Sequence, residues 1–224
     1  MSDDYQTGSD GKEIALEARA LEGERLFSPS AARNRDFIRD TYLSLMPKTG
    51  KILEVGSGSG EHGVHIASAL PDINWHSGDP DFNSRCSISA WISHASLENM
   101  KSPHSIDVIS DHWGEIETSK FDGLVSINMI HIAPFEAAKG LFAGAGRLLQ
   151  SGGKLFLYGP FSRNGKHISP SNADFNASLR GRDPSWGVRD LENDIMPLAK
   201  DAGLDLDQIV DMPANNFVVT FDRP

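Results

Sequence analysis

A short apolar run, Ile52-Leu53-Glu54-Val55, opens directly into Gly56-Ser57-Gly58-Ser59-Gly60, and the stretch Glu61 to Leu70 then places Val64, Ala67 and Leu70 at helical spacing. Strand, glycine-rich loop and helix N-terminus in that order define a βα unit, and no other segment constrains the fold as much. Glycines lack a Cβ, so the chain can turn tightly there and approach a ligand closely. The free amides and dipole at a helix start favour electron-rich ligand groups, and the sequence therefore predicts loop amides facing a ligand.

Further apolar runs near 73–77, 104–109, 121–128 and 154–159 alternate with helical stretches, the pattern of a parallel sheet with crossover helices. Ser28-Pro29 reads as an N-cap followed by proline at the first helical position, starting a helix that runs to about Met46. Glu13 to Arg25 reads as an earlier helix. The tail predicts an antiparallel pair, Leu204 to Asp211 and Asn216 to Phe221, joined across Pro213. Between the strand ending near 159 and a helix starting near Asp190 lies Pro160 to Arg189, a connection long enough to predict a functional loop. The expected organisation is a polar, mobile segment 1–12 and a single domain over 13–224.

A chain of 224 residues with 39% hydrophobic composition suits one sizeable core. The formal charge of −10, without any cluster of five or more lysines and arginines, opposes binding to nucleic acid. The acidic start Met1-Ser2-Asp3-Asp4 has no basic, apolar leader pattern and no run is long enough to span a bilayer, so a cytoplasmic protein without membrane association is expected. Cys86 is the single cysteine, which excludes an internal disulfide and a multi-cysteine metal site; no metal is expected, and its neighbours Ile88, Ala90 and Trp91 predict a buried helical thiol.

Residue types separate the ligands that use such loops. A nucleoside triphosphate site needs Gly-Lys-Ser/Thr at the loop end, whereas Gly60 is followed by Glu61-His62. A dinucleotide is harder to dismiss, since Gly58, Gly60 and Gly63 fit G-x-G-x-x-G and Asp79 ends the next apolar strand, as a ribose ligand should. Against it stands Glu54, whose negative charge at the strand tip would oppose a pyrophosphate. A cationic, phosphate-free ligand such as S-adenosylmethionine suits the acid better.

Glu54-x-Gly56-x-Gly58-x-Gly60 resembles the first motif of the class I methyltransferases. Ile73 to Pro80 resembles their second strand with its ribose-binding acid, Ser105-Ile106-Asp107-Val108 the third with its adenine-binding acid, and Phe121 to His131 the fourth. Ser28 to Arg35, Asn128 to Ile132, Gly140 to Arg147, Tyr158-Gly159-Pro160-Phe161 and Met212 to Asn216 look like the methyltransferase-like 26 family and its bacterial relatives, a domain of unassigned function. The resemblance implies an α/β, Rossmann-like class I methyltransferase fold: a mostly parallel seven-stranded sheet with an antiparallel C-terminal strand and helices on both faces. It also implies N-terminal helices over 13–48 covering the cofactor and a substrate lid at 160–189.

The implied cofactor set is Arg33, Asn34, Glu54, Gly56, Ser57, Gly58, Gly60, Asp79, Pro80, Asp107, Val108 and Asn128, with Glu54 at the methionine amino end, Asp79 on the ribose, Asp107 on the adenine and Arg33 on the methionine carboxylate. His131 and Tyr158 are candidates for a general base or substrate contact, against a bland packing role. Phe161, Asn172, Phe175, Arg180, Trp186 and Asn215 are candidates for a substrate surface, since aromatics with a few hydrogen-bonding groups suit small-molecule sites. The expected activity is methyl transfer from S-adenosylmethionine to a small metabolite, a nitrogen or sulfur acceptor being favoured because no residue carries an unmistakable base signature. An NAD-dependent oxidoreductase and a non-catalytic cofactor-binding protein acting through a partner remain alternatives.

Overall fold

Short polar side chains one residue ahead of a helical stretch set several helix starts in the computed structural model, which describes residues 16–224. Those residues divide into two compact units, 16–107 with 113–116 and 108–112 with 117–224.

The first unit opens with an antiparallel hairpin, β1 (Ala20–Glu22) and β2 (Arg25–Phe27), in the register Leu21↔Leu26. The helix expected over Glu13 to Arg25 is therefore not found from residue 16 onward, and 13–15, like 1–12, lie outside the described residues. Gly23 turns the hairpin with φ 63°, a left-handed conformation that ends any helical path there. The next helix, α1 (Pro29–Leu45), begins as its sequence dictates: Ser28 is the N-cap, its Oγ accepting from the Ala31 amide, and proline follows where no donor is needed.

Strand β3 (Gly50–Val55), helix α2 (Glu61–Ala69), strand β4 (Ile73–Gly78) and helix α3 (Phe82–Ala95) follow. β3 and β4 pair in parallel with Glu54 opposite Ser77. Asp81 caps α3 by accepting from the Ser84 amide at 2.7 Å. Tyr42 and Trp75, both fully buried, meet with ring centroids 5.8 Å apart. Cys86 lies on α3 as expected but is half-buried, not buried.

The strand expected at 104–109 does not form. The chain after α3 makes isolated parallel bridges, Trp75↔Met100 and Gly78↔His104. Lys101 and His104 donate to the carbonyls of Trp75 and Ser77 at 2.9 and 2.8 Å, but Pro103 lies between them and has no amide to continue a ladder.

The second unit contains β5 (Phe121–Ile127), α4 (Phe135–Leu148), β6 (Leu149–Gly159), β7 (Phe161–Ser162), α5 (Pro170–Arg182), β8 (Arg189–Asp190), α6 (Met196–Asp201), β9 (Asp205–Met212) and β10 (Asn216–Asp222). β5 and β6 are parallel, while β10 runs antiparallel to both β6 and β9, as the tail pattern implies. The principal strands among the described residues thus number two in the first unit and four in the second, one fewer than the seven expected. The long connection 160–189 is not one irregular loop: α5 occupies its centre, and β7 and β8 at its ends pair in parallel, Phe161↔Arg189 and Ser162↔Asp190. Among the described residues no helix is long and apolar enough to cross a membrane.

Two helical glycines give opposite expectations. A Cβ on Gly140 of α4 would lie 1.8 Å from the Val108 carbonyl oxygen, a backbone atom that cannot step aside, whereas a Cβ on Gly181 of α5 meets nothing within 4 Å. Gly181→Ala should raise unfolding stability by ~0.5–1 kcal/mol through helix propensity. Gly140→Ala should lower it by at least ~1–3 kcal/mol through overpacking. Urea unfolding of the two variants checks both signs.

Candidate functional site

The glycine loop is built by backbone bonds before any ligand is considered. Gly56, Gly58 and Gly60 adopt φ of 68°, 56° and 89°, which only glycine takes without strain. The amides of Gly56 and Ser57 both donate to the Gly78 carbonyl at the end of β4, at 2.9 and 3.2 Å, and the Gly60 amide donates to Ser57 O at 3.0 Å. Ser57 Oγ accepts from the Gly78 amide at 3.2 Å. Asp79 completes the staple: its Oδ2 accepts from the Gly58 amide and its Oδ1 from the Asp81 amide, each at 2.9 Å. The amides of Gly56, Ser57, Gly58 and Gly60, expected to face a ligand, are therefore already paired within the protein, which leaves fewer for a pyrophosphate.

Asp79 is 7% exposed, and burial pushes its carboxyl up to about 6, against the opposing pull of its two amide donors. The acid expected to bind a ribose thus lies against the glycine loop. Glu54 stands differently. It is 2% exposed, with Oε2 3.4 Å from Trp75 Nε1 and 3.5 Å from Ser77 Oγ. Burial pushes it up to about 7. Gly63 makes room for it, since a Cβ there would lie 2.6 Å from Glu54 Oε2 and 2.8 Å from Trp75 Nε1. The third glycine of the G-x-G-x-x-G pattern thus serves close helix-strand packing. The negative charge around the loop comes instead from Asp79, Asp81 and Glu61, the last accepting on Oε2 from the Ser28 amide at 2.6 Å and from Ser59 Oγ at 2.9 Å.

The N-terminal segment contributes a residue that the sequence reading missed. Arg19 lies against the loop: a Cβ built on Gly58 would be 3.5 Å from its Nη2. Its guanidinium feels the charges of Asp79, Asp81 and Glu61, while burial lowers its pKa. Arg33 does not take this place. Its Nη2 bonds both Glu17 carboxylate oxygens, at 2.8 and 3.0 Å, on an exposed surface. Asn34 Oδ1 pairs with His62 Nε2 at 2.9 Å. Pro80 is exposed and its carbonyl accepts from Arg85 Nη1, and Asp107 is exposed. Nothing in the local pattern marked Arg19, because a helix was expected there.

In the second unit, Val108 is buried with its carbonyl beside Gly140, and Asn128 follows β5 with φ 60°, its amide donating to Tyr158 O at 2.8 Å. His131 is 1% exposed. Its Nδ1 accepts from the Arg189 amide at 3.4 Å, which assigns the ring proton to Nε2, and Nε2 is buried without a partner among the described residues. Burial, together with the Arg189 charge, pushes its pKa down to about 3. A neutral imidazole whose Nε2 carries the proton has no lone pair there to act as a base. This arrangement opposes the general-base role considered for His131. Arg189 is itself held by the carbonyls of Ile130, Ala133 and Ser185 at 2.9, 2.7 and 2.9 Å.

Several expected substrate contacts are core residues. Phe161 is fully buried, edge-on to His131 at 4.9 Å, and Tyr158 and Trp186 are 4% and 6% exposed. Asn172 is buried, donating through Nδ2 to Asn215 O at 3.0 Å, and Asn215 Nδ2 donates to Ser171 Oγ at 3.2 Å, so this pair fastens α5 to the turn between β9 and β10. Aromatic side chains flanking a turn gain more from closing over an apolar cluster than from lining an open surface. Phe175 remains half-buried, and Arg180 and Asn215 are exposed.

With this geometry in place, the chain can be set beside known proteins. Its fold is similar to an O-methyltransferase family protein from Burkholderia thailandensis, with TM-score 0.70, 14% identity, and coverage of 86% of this chain and 60% of that one. It is similar also to an O-methyltransferase family 2 protein from Planctomyces limnophilus solved with apigenin, with TM-score 0.72, 15% identity, and coverage of 87% and 60%. A methyltransferase of calicheamicin biosynthesis in its SAH-bound form matches with TM-score 0.67, 14% identity, and coverage of 87% and 54%. The chain spans less than two thirds of the length of each. These likenesses define the α/β, Rossmann-like fold of the class I methyltransferases. By sequence, the chain belongs to the family described as "Protein of unknown function (DUF938)", whose model matches residues 25–223.

Glu54 gives the protein a defined pH dependence. Its carboxyl is raised from an ordinary 4.5 to about 7 in the folded state, so its contribution is fully present below about pH 4.5 and is lost as pH rises through about 7. Glu54→Gln keeps the site neutral throughout. The variant should match the native protein near pH 4.5 and be more stable by on the order of 2–3 kcal/mol near pH 8. Urea unfolding at the two pH values checks this.

Proposed function

We propose that the chain binds S-adenosylmethionine at the glycine loop and Asp79, and that it is a methyltransferase acting on a small acceptor. The observation that carries this reading is the combination of internally paired loop amides with the surrounding carboxyl groups of Asp79, Asp81 and Glu61. A pyrophosphate needs free amides and is repelled by such acids, while a ligand bearing a sulfonium, an ammonium and a ribose diol is suited to them. Asp79 would accept from the ribose hydroxyls through lone pairs that the Gly58 and Asp81 amides leave open. The likeness of fold to methyltransferases, among them an SAH-bound form, supports the same cofactor class, as does the resemblance to the methyltransferase-like 26 family.

Bound S-adenosylmethionine supplies a methyl carbon activated by positive sulfur, so aligning the acceptor can provide much of the rate enhancement. The neutral His131 supports an acceptor that needs no deprotonation, such as a neutral nitrogen or sulfur. In the 160–189 segment, Phe175 and Arg180 retain accessible surface and are the residues proposed to meet the acceptor, which is taken to be a small metabolite of the cytoplasm. The acidic balance of −10 supports a substrate other than nucleic acid.

Calorimetry should give micromolar binding of S-adenosylmethionine and S-adenosylhomocysteine and none of NAD. Asp79→Ala should weaken binding by about 1.5–3 kcal/mol, the range for lost hydrogen bonds to a charged group. Tight NAD binding without S-adenosylmethionine binding would replace this reading by the oxidoreductase. Incubating a metabolite pool with methyl-labelled S-adenosylmethionine, followed by mass spectrometry, identifies the acceptor; cofactor binding without label transfer would favour a non-catalytic role.

With an acceptor in hand, His131→Ala should slow turnover by less than the ~10²-fold typical of a lost base, and equally at every pH. A loss confined to one limb of the pH profile would restore the base role and make an oxygen acceptor the better choice.

A further inference from the structure

The amino-acid end of S-adenosylmethionine is a zwitterion, and the surroundings of the glycine loop are acidic. Asp79, Asp81 and Glu61 can favour the ammonium group, but the carboxylate beside it would be repelled unless a cation stood at the same place. Arg19 is placed there, with Nη2 against Gly58 and with Asp79, Asp81 and Glu61 around its guanidinium.

The acids near Arg19 are also held by backbone and hydroxyl donors. Asp79 accepts from the Gly58 and Asp81 amides, Asp81 Oδ2 from the Ser84 amide, and Glu61 Oε2 from the Ser28 amide and Ser59 Oγ. They hold Arg19 in their field while their own positions are fixed by backbone. Two other arginines of this unit near the expected site are turned to other partners. Arg33 is bound to Glu17, and Arg85 Nη1 donates to the carbonyls of Asp79 and Pro80 at 2.8 and 2.6 Å.

Arg19 is also positioned from both sides along the chain. Glu17 is held by Arg33, and the hairpin that follows Arg19 is fastened to α3: the Leu26 amide donates to Ser87 Oγ at 2.9 Å, and Trp91 Nε1 donates to Leu26 O at 3.0 Å. Phe27 packs edge-on to Trp91 at 4.9 Å, with the Arg25 guanidinium over both rings. The segment is therefore anchored on either side of the one guanidinium it brings to the loop.

We infer that Arg19 binds the carboxylate of the cofactor's amino-acid end through its guanidinium fork, so that the segment from Glu17 to Phe27 forms one wall of the cofactor site; this rests on the S-adenosylmethionine reading. A planar fork matches a carboxylate with two parallel bonds, which lysine cannot reproduce.

The test compares two ligands on the full chain by calorimetry: S-adenosylhomocysteine, which has the amino-acid end, and 5′-methylthioadenosine, which has the same ribose and adenine without it. Arg19→Ala should raise the dissociation constant for S-adenosylhomocysteine about tenfold or more and leave that for methylthioadenosine within about twofold. Arg19→Lys should fall between the native protein and Arg19→Ala for the first ligand, and serves as the measurement if Arg19→Ala does not melt cooperatively. Equal losses for both ligands would overturn the inference by showing that Arg19 only shapes the site. Unchanged or tighter binding of S-adenosylhomocysteine would overturn it as well, with Arg19 then a residue the ligand displaces. Failure of the native protein to bind either ligand would defeat the cofactor reading itself.

Discussion

The close approach of α2 to β3 and β4 at Gly63 is the constraint on which the rest of the first unit depends. A carboxyl, an indole and a helix backbone share one buried space there, and any side chain at position 63 would fall within 2.6 Å of Glu54 Oε2. That contact fixes how near the helix comes to the strands, and with it where the glycine loop must turn. The Gly78 carbonyl then takes the loop's first two amides, joining the tips of neighbouring parallel strands. A buried acid is costly unless it is neutral or well bonded. Glu54, raised to about 7 and bonded at long range by Trp75 and Ser77, sits between those conditions.

The second unit satisfies its buried polar groups in a different way. The Arg189 guanidinium donates to three backbone carbonyls, and these bonds fasten the turn after β5 to the segment that precedes β8. Its backbone amide sets the tautomer of His131. One residue thus controls both the shape of that turn and the chemistry available to the histidine. Asp190, its neighbour, accepts from Ser162 Oγ and the Gly165 amide on one oxygen and from the Asn193 amide on the other, closing the excursion from β6 upon itself.

Much of this was legible in the sequence where the signal is local. The Ser28-Pro29 helix start, the glycine loop between β3 and α2, and the antiparallel tail follow from residues a few positions apart, and each is where its pattern predicts. Local signals failed where a single residue overrode a periodic stretch. Gly23 turned an expected helix into a hairpin, and Pro103 interrupted an expected strand. Phe161, Asn172 and Trp186 were ambiguous because an aromatic or amide near a turn can serve a surface or a core equally well, and burial alone separates the two.

The sequence by itself determined the fold class and the position of the loop, because strand and helix periodicity and the backbone freedom of glycine are properties of neighbouring residues. It also placed an acid, Asp79, at the loop. Only the tertiary structure decided which way each charged group points and what it has left to offer. Glu54 and Arg33, with plausible charges at plausible positions, are turned to other partners, and Arg19, from a segment without a motif, is carried to the loop by a hairpin fastened some 60 residues away along the chain. Charge is written in the sequence. Its direction and solvation depend on contacts between distant segments, and these exist only once the chain has folded.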